Sequence, residues 1–217
     1  MTDNSVYANP LITRYASREM AEAFSDEKRI GLWRKLWIAL AEAEMELGLN
    51  ITPAQIEEMK KYAEDINFEL AEKYEREVRH DVMAHVKAFG AQAKSAMPII
   101  HLGATSCFVD CNSEVMILAD ALEIIKVKLV NVMDKLSKFA LKYKDLPTLG
   151  FTHLQPAQLS TVGKRATLWL QDLTMDYNNL VNLQNSIKLR GVKGTTGTQA
   201  SFMELFEGDE SKVKELE

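Results

Sequence analysis

Acid–base chemistry needs groups that exchange protons near neutrality, and the chain has four histidines, His80, His85, His101 and His153. Each lies in a short polar segment. In Thr152-His153-Leu154-Gln155-Pro156-Ala157-Gln158 the imidazole stands near hydroxyl and amide groups, and Pro156 reads as the first residue of a helix. A histidine held rigidly at such an entrance suits general acid–base work. A helix N-terminus disfavours the protonated ring, so a proton donor there needs a compensating carboxylate, such as one on a substrate. By residue types alone this is the strongest catalytic candidate.

Arg79-His80-Asp81-Val82-Met83-Ala84-His85 places His80 between a cation and an anion, either of which could tune it. A surface histidine fits the same residues equally well. Asp81 and His85 share a helix face, as a metal site would require. With no third ligand nearby, a hydrogen-bonded Asp–His pair is the better reading. In His101-Leu102-Gly103-Ala104-Thr105-Ser106-Cys107, Thr105 and Ser106 precede a long helix, where hydroxyls and free N–H groups can hold a carboxylate or phosphate. Simple N-capping accounts for them too, and His101, after two isoleucines, reads as a core histidine.

Two further segments offer anion chemistry. Arg14-Tyr15 within residues 9–17 could clamp a phosphate through a guanidinium fork and a phenol, although a surface arm is the plainer interpretation. Lys193-Gly194-Thr195-Thr196-Gly197-Thr198-Gln199-Ala200-Ser201 could form a backbone nest for an anion. It lacks the residue order of a P-loop, and a flexible connector is the alternative. Cys107 and Cys111, the only cysteines, have no partners for a metal or redox site; they read as small apolar filler in a reducing compartment.

The elements that position these segments read as helices. Ser25 caps a helix through Trp33, Leu36, Trp37, Leu40 and Leu47, with Gly48 just beyond it. Thr52-Pro53-Ala54-Gln55 has the form of a capping box. Another helix is expected over 79–89, closing at Gly90, followed by irregular chain over 97–106. From Ser113 to Tyr143 there is no Pro or Gly, and about 30 helical residues span roughly 45 Å. Asp120, Glu123, Asn131, Asp134 and Lys138 form a narrow polar stripe on that helix. Val115, Leu118, Leu122, Ile125, Leu129, Val132, Leu136 and Phe139 occupy the rest. A helix apolar over most of its circumference must be surrounded, which predicts a multi-helix bundle shared between subunits. A loop over 144–152 and a second long helix from Pro156 to about Leu189 are expected next. No hairpin signal of the Asn-Gly kind is present, so the fold class is all-α.

The bulk numbers limit the function classes. The 217 residues are 47% hydrophobic and 26% charged, ordinary for a soluble globular chain. A net charge of −5 argues against nucleic acid, whose phosphates need excess Lys and Arg. Met1 to Pro10 has neither the basic nor the apolar region of a secretory signal, and no apolar run reaches membrane-spanning length.

Five ordered blocks, NPLITRYAS (9–17), RHDVMAH (79–85), HLGATS (101–106), THLQPAQ (152–158) and RGVKGTTGTQASF (190–202), resemble the fumarase/aspartase superfamily and, within it, the adenylosuccinate lyase branch. The resemblance implies an N-terminal helical domain over 1–111, then the first part of a central helix bundle over 112–217. It implies a cytoplasmic homotetramer with active sites shared by three subunits. The implied reaction eliminates fumarate from adenylosuccinate, giving AMP, and from SAICAR in purine biosynthesis, without cofactor or metal. By the same resemblance His153 is the general acid and His80 binds and orients substrate. Arg14 and Tyr15 would hold the phosphate, with Arg79 and Asp81 in support. Thr105, Ser106 and Thr152 would donate to carboxylates, Gln199 would bind the succinyl portion, and Lys193 is a weaker candidate.

One part of the family pattern is absent. The loop Gly-Ser-Ser-x-Met-Pro-x-Lys-x-Asn, which carries the family's serine base, is nowhere in these residues. The expectation is therefore an N-terminal half, inactive alone. Another lyase of the superfamily, such as argininosuccinate lyase, and a non-catalytic helical scaffold are the competing readings.

Overall fold

The structure is a computed structural model that describes residues 7–217. The first six residues of the expected N-terminal domain, and with them most of the segment read for a leader, lie outside the described residues. The chain divides into two compact units, one running to Ile117 and resuming at Lys188–Glu217, the other Leu118–Ile187.

In the first unit a π-helical turn, Leu11–Tyr15, leads to α1 (Arg18–Ala23), capped by the Ser17 hydroxyl. Ser25 then caps α2 (Asp26–Glu46) by accepting from the Lys28 N–H. The Thr52–Gln55 capping box opens α3 (Pro53–Lys61) with both reciprocal bonds formed. Next come α4 (Phe68–Val78) and α5 (Asp81–Gln92). The long helix α6 (Ser106–Lys142) begins seven residues earlier than its lack of Pro and Gly from 113 suggested. Past α6 and the second unit, the chain adds α8 (Ala200–Leu205) and α9 (Glu210–Leu216) to this first unit.

The core of this unit is built on α2. Trp33 and Trp37 are fully buried together with Ile30, Met59, Val82, Phe89 and Phe202. Burial of an indole leaves its N–H in need of an acceptor, and both are satisfied. Trp33 Nε1 donates to Ser113 Oγ at 3.0 Å and Trp37 Nε1 to His101 Nδ1 at 2.9 Å. Arg34 is buried as well, with its guanidinium 4.4 Å from the Phe89 ring centroid. It donates to the carbonyls of Tyr62 and Asp65 and to Gln92 Oε1. Burial lowers its pKa to about 10, so it remains charged.

The second unit corrects the sequence reading. Where a loop and then a helix from Pro156 were expected, the chain forms an antiparallel hairpin of β1 (Pro147–Thr152) and β2 (Gln155–Thr161). Helix α7 starts only at Val162 and runs to Ser186, capped by Thr161. The hairpin register pairs Thr152 with Gln155, leaving His153 and Leu154 as a two-residue turn. Both turn residues have positive φ, 50° and 62°, as the favoured right-twisted hairpin turns require. The sequence hides this turn because neither residue is glycine.

In this unit α6 and α7 lie side by side in opposite directions, with Gln184 Nε2 donating to Glu123 Oε2 and Gly163 against Ala140 and Lys144. A Cβ on Gly163 would sit 2.6 Å from Lys144 Cα, so glycine permits the close approach. On α7 only Gly163 and Ala166 are buried. Leu118, Ile125, Val132, Phe139, Trp169 and Met175 are exposed.

Candidate active site

Three of the five motif blocks meet in the first unit. His80 is the N-cap of α5, held at the junction with α4 where Arg79 takes the left-handed conformation, φ 54°. Its Nδ1 accepts from the Met83 N–H at 3.5 Å. That bond selects the tautomer with the proton on Nε2, and Nε2 lies 3.1 Å from Ser106 Oγ. Asp81 Oδ1 is 3.4 Å from the same Nδ1 and accepts from the Val82 N–H. Both side chains are about half exposed and open to a ligand.

Ser106 is the first residue of α6, so it joins a hydroxyl to the free N–H groups and positive end of a long helix. The Phe108 N–H bonds the Thr105 carbonyl at 2.9 Å. Against Thr105 packs Gly194, where a Cβ would come within 3.2 Å of the threonine Cγ2 and Oγ1. Ser201 Oγ donates to the Gly103 carbonyl at 2.6 Å, and Cys107 Sγ lies 2.8 Å from Thr195 Oγ1. The 193–201 segment is thus fastened to the 101–107 segment.

Asn112 anchors the approach to that segment. Buried one turn beyond Phe108, it donates from Nδ2 to the carbonyls of Phe108 and Gly191, at 2.7 and 2.9 Å. Its Oδ1 accepts from the Arg190 N–H at 2.7 Å. Sequence reasoning missed this residue, since an asparagine in an apolar helix looks like any polar interruption. Asp110 was missed too. It lies one turn beyond Ser106 on the same helix face, and burial, then the charges of Asp81 and Glu114, push its carboxyl up to about 6.

Gln199 is the N-cap of α8, and its Nε2 donates to the Glu217 carboxylate, which also pairs with Lys193 Nζ. Together the amide and the ammonium grip a carboxylate. His101 is a core histidine, as its neighbours suggested: burial, followed by the proximity of His80, lowers its pKa to about 4. His85 departs from the expected pairing with Asp81. Its ring makes edge contacts with Trp33 and Phe68, its Nδ1 is buried without a hydrogen-bond partner, and burial lowers its pKa to about 4.

The other predicted residues stand elsewhere. Arg14 and Tyr15 are exposed on the N-terminal turn, and among the hydrogen bonds of the described residues none ties them to the His80 cluster. Thr152 and His153 belong to the second unit, at the exposed end of the hairpin. Since α7 begins nine residues later, at Val162, His153 does not stand at the helix entrance that the sequence suggested. Among the described residues no group of three or more His, Cys, Asp or Glu side chains could hold a metal. No described helix is long and apolar enough to cross a membrane.

Hydroxyls, an imidazole and the N-terminus of a long helix are thus gathered in one unit. A family model described as lyase matches residues 5–216, and the chain belongs to that lyase family. It is 56% identical to adenylosuccinate lyase of Schizosaccharomyces pombe and 55% to that of Saccharomyces cerevisiae, in each case over 100% of this chain and 46% of the relative. The archaeal adenylosuccinate lyase of Archaeoglobus fulgidus is 31% identical over 89% of the chain. The chain thus spans about half the length of the curated relatives it matches. Among solved structures, 3-carboxy-cis,cis-muconate lactonizing enzyme from Pseudomonas putida superposes with a TM-score of 0.79 at 28% identity, over 96% of this chain and 49% of that one. A fumarate lyase from Mesorhizobium sp. gives 0.79 at 25%, over 93% and 48%. The fold is the all-α fumarase/aspartase-like fold expected from the motif blocks, with one small hairpin added.

Proposed function

We propose that the chain is the N-terminal half of an adenylosuccinate lyase, which eliminates fumarate from adenylosuccinate to leave AMP and acts likewise on SAICAR. The observation that carries this reading is the meeting of His80, Ser106, Thr105 and the 193–201 segment in one unit. The similarity to adenylosuccinate lyases supports the choice of substrate. In the elimination a base takes the proton from the carbon beside a succinyl carboxylate, and the charge spreads onto that carboxylate. An acid protonates the departing nitrogen, and the carbon–nitrogen bond breaks.

His153 is the acid in this scheme, and its exposed place on a turn leaves it free to reach a bound nucleotide. His80 orients substrate, with its Nε2–H tautomer and Ser106 forming one donor pair. Thr105, Ser106 and Thr152 donate to carboxylates, Arg14 and Tyr15 hold the phosphate, and Arg79 and Asp81 support them. Gln199 takes the succinyl carboxylate, and its grip on Glu217 beside Lys193 supports that role for both. No step calls for a cofactor or metal. The domains follow as 1–111 and 112–217. A cytoplasmic homotetramer with active sites built from three subunits completes the proposal. The uncovered apolar faces of α6 and α7 support the association, and two unpaired thiols support the compartment.

The same chain extended to the length of its relatives should turn over adenylosuccinate and leave argininosuccinate untouched. In it, His153→Ala should lower kcat by at least about 100-fold, the size of a lost general acid. The 217-residue chain alone should show no elimination, because the serine-bearing loop is not in it. Turnover by that chain would overturn the half-enzyme reading. A preference for argininosuccinate would overturn the substrate, and no turnover of either by the extended chain would favour a scaffold.

A further inference from the structure

Cys107 and Cys111 are separated by one turn of α6, so their side chains stand on the same face of the helix. Both are half-buried, so part of each side chain can be reached from solvent. Cβ atoms at i and i+4 of a helix are about 5–6 Å apart, whereas a disulfide needs them at about 4 Å. An intact α6 therefore cannot close an S–S bond between them. Tetrahedral zinc is excluded by ligand number, because it needs four and no third side chain gathers here among the described residues. What two adjacent sulfurs can complete is a sulfur-seeking centre that brings its own third substituent.

We propose that the Cys107–Cys111 pair is a chelating site for trivalent arsenicals of the monosubstituted arsenous acid class, and that its occupation disables the neighbouring anion site. The step is a condensation. Each thiol gives its proton to one hydroxyl on arsenic, two waters leave, and two As–S bonds replace two As–O bonds. Arsenic stays trivalent, and no oxidant or reductant is needed. Burial, then the adjoining Cys107 thiol, holds Cys111 above the ordinary thiol range. Oxidants and alkylating agents attack through the thiolate and are disfavoured there, whereas the condensation consumes the thiol itself.

The consequence for substrate rests on the proposed function. Cys107 Sγ contacts the Thr195 hydroxyl, and the next residue back, Gly194, packs closely on Thr105, where an added carbon would come within 3.2 Å of the threonine side chain. Arsenic and its substituent, bound at Cys107, would break the Thr195 contact and push that segment off Thr105.

Phenylarsine oxide added to the purified chain, followed by intact mass, tests the site without any turnover. The expected result is one phenylarsenic bridge per chain, resistant to excess 2-mercaptoethanol and removed by 2,3-dimercaptopropanol. Cys107→Ser and Cys111→Ser should each lose the resistant adduct, and with only two cysteines in the sequence the assignment is unambiguous. No adduct, release by the monothiol, or a resistant adduct in either serine variant would overturn the proposal. In the extended chain the adduct should weaken adenylosuccinate binding at least about 10-fold. A formed adduct with unchanged binding would overturn the disabling effect and leave the chelating site standing.

Discussion

In the unit that ends at Ile117 and resumes at Lys188, Trp33 and Trp37 are both at 0% exposure with their indole N–H groups satisfied. In Leu118–Ile187 the third tryptophan, Trp169, is 61% exposed. The first unit packs several short helices against α2 and buries nine of its residues, while positions such as Lys35 and Ala39 stay exposed. The second has two long helices and a hairpin, and a pair of helices can cover only one stripe of each other. Similar apolar content thus gives a closed core in one region and an uncovered surface in the other. The number of packing partners decides between them, since helical propensity is ample in both.

The largest test of this contrast is Trp37→Ala. Truncating a fully buried aromatic costs about 3–5 kcal/mol, and here it also strands His101 Nδ1. Hydrogen exchange should quicken across α2, α3 and α5 while Trp169 fluorescence keeps its wavelength. A variant as stable as the parent would mean that the first unit does not depend on this core.

Gly163→Ala probes the second unit at its tightest point. The added methyl meets backbone, which cannot swing aside, and overpacking of this kind costs about 1–3 kcal/mol. Protection from exchange should fall around 140–165 and remain over α2. Unchanged protection there would show that the two helices separate freely.

The third test sharpens the description of the first unit. Glu44 is fully buried, neither carboxyl oxygen has a hydrogen-bond partner, and burial raises its pKa to about 8. Its folded value lies above the unfolded one, so the native state holds a proton that the unfolded chain has released. Stability therefore falls as pH rises from about 4.5 to 8, by up to about 1.4 kcal/mol per pH unit for this single proton. His85 and His101, both lowered to about 4, act oppositely, adding stability as pH rises from about 4 to 6.5. Between about 6.5 and 8 the Glu44 slope should stand apart from theirs, and Glu44→Gln should flatten it in urea titrations. A parent profile with no decline in that window would refute the buried-acid account.

Much of this was legible in the chain. Ser25, the Thr52–Gln55 box and the irregular stretch before Ser106 are local signals, written in residues whose side chains bond their own backbone. The blocks around His80, Ser106 and Gln199 were legible as motifs, and the structure brings them into one unit. The hairpin was not legible, because its strands contain Pro147, Gly150 and Pro156 and its turn lacks glycine. The His85 environment was hidden for a different reason. Spacing offered Asp81 as a partner, but burial against Trp33 and Phe68 claimed the ring. Arg34, Glu44 and Asn112 look like ordinary polar positions until the surrounding helices enclose them.

The turn that presents His153 has one more consequence. Leu154 beside it is 95% exposed with φ at 62°, a conformation that costs a residue with a Cβ about 1–2 kcal/mol and glycine almost nothing. A glycine there would ease the bend but let it flex through many shapes. Leucine and histidine therefore hold this bend at a backbone cost that the paired strands on either side must offset.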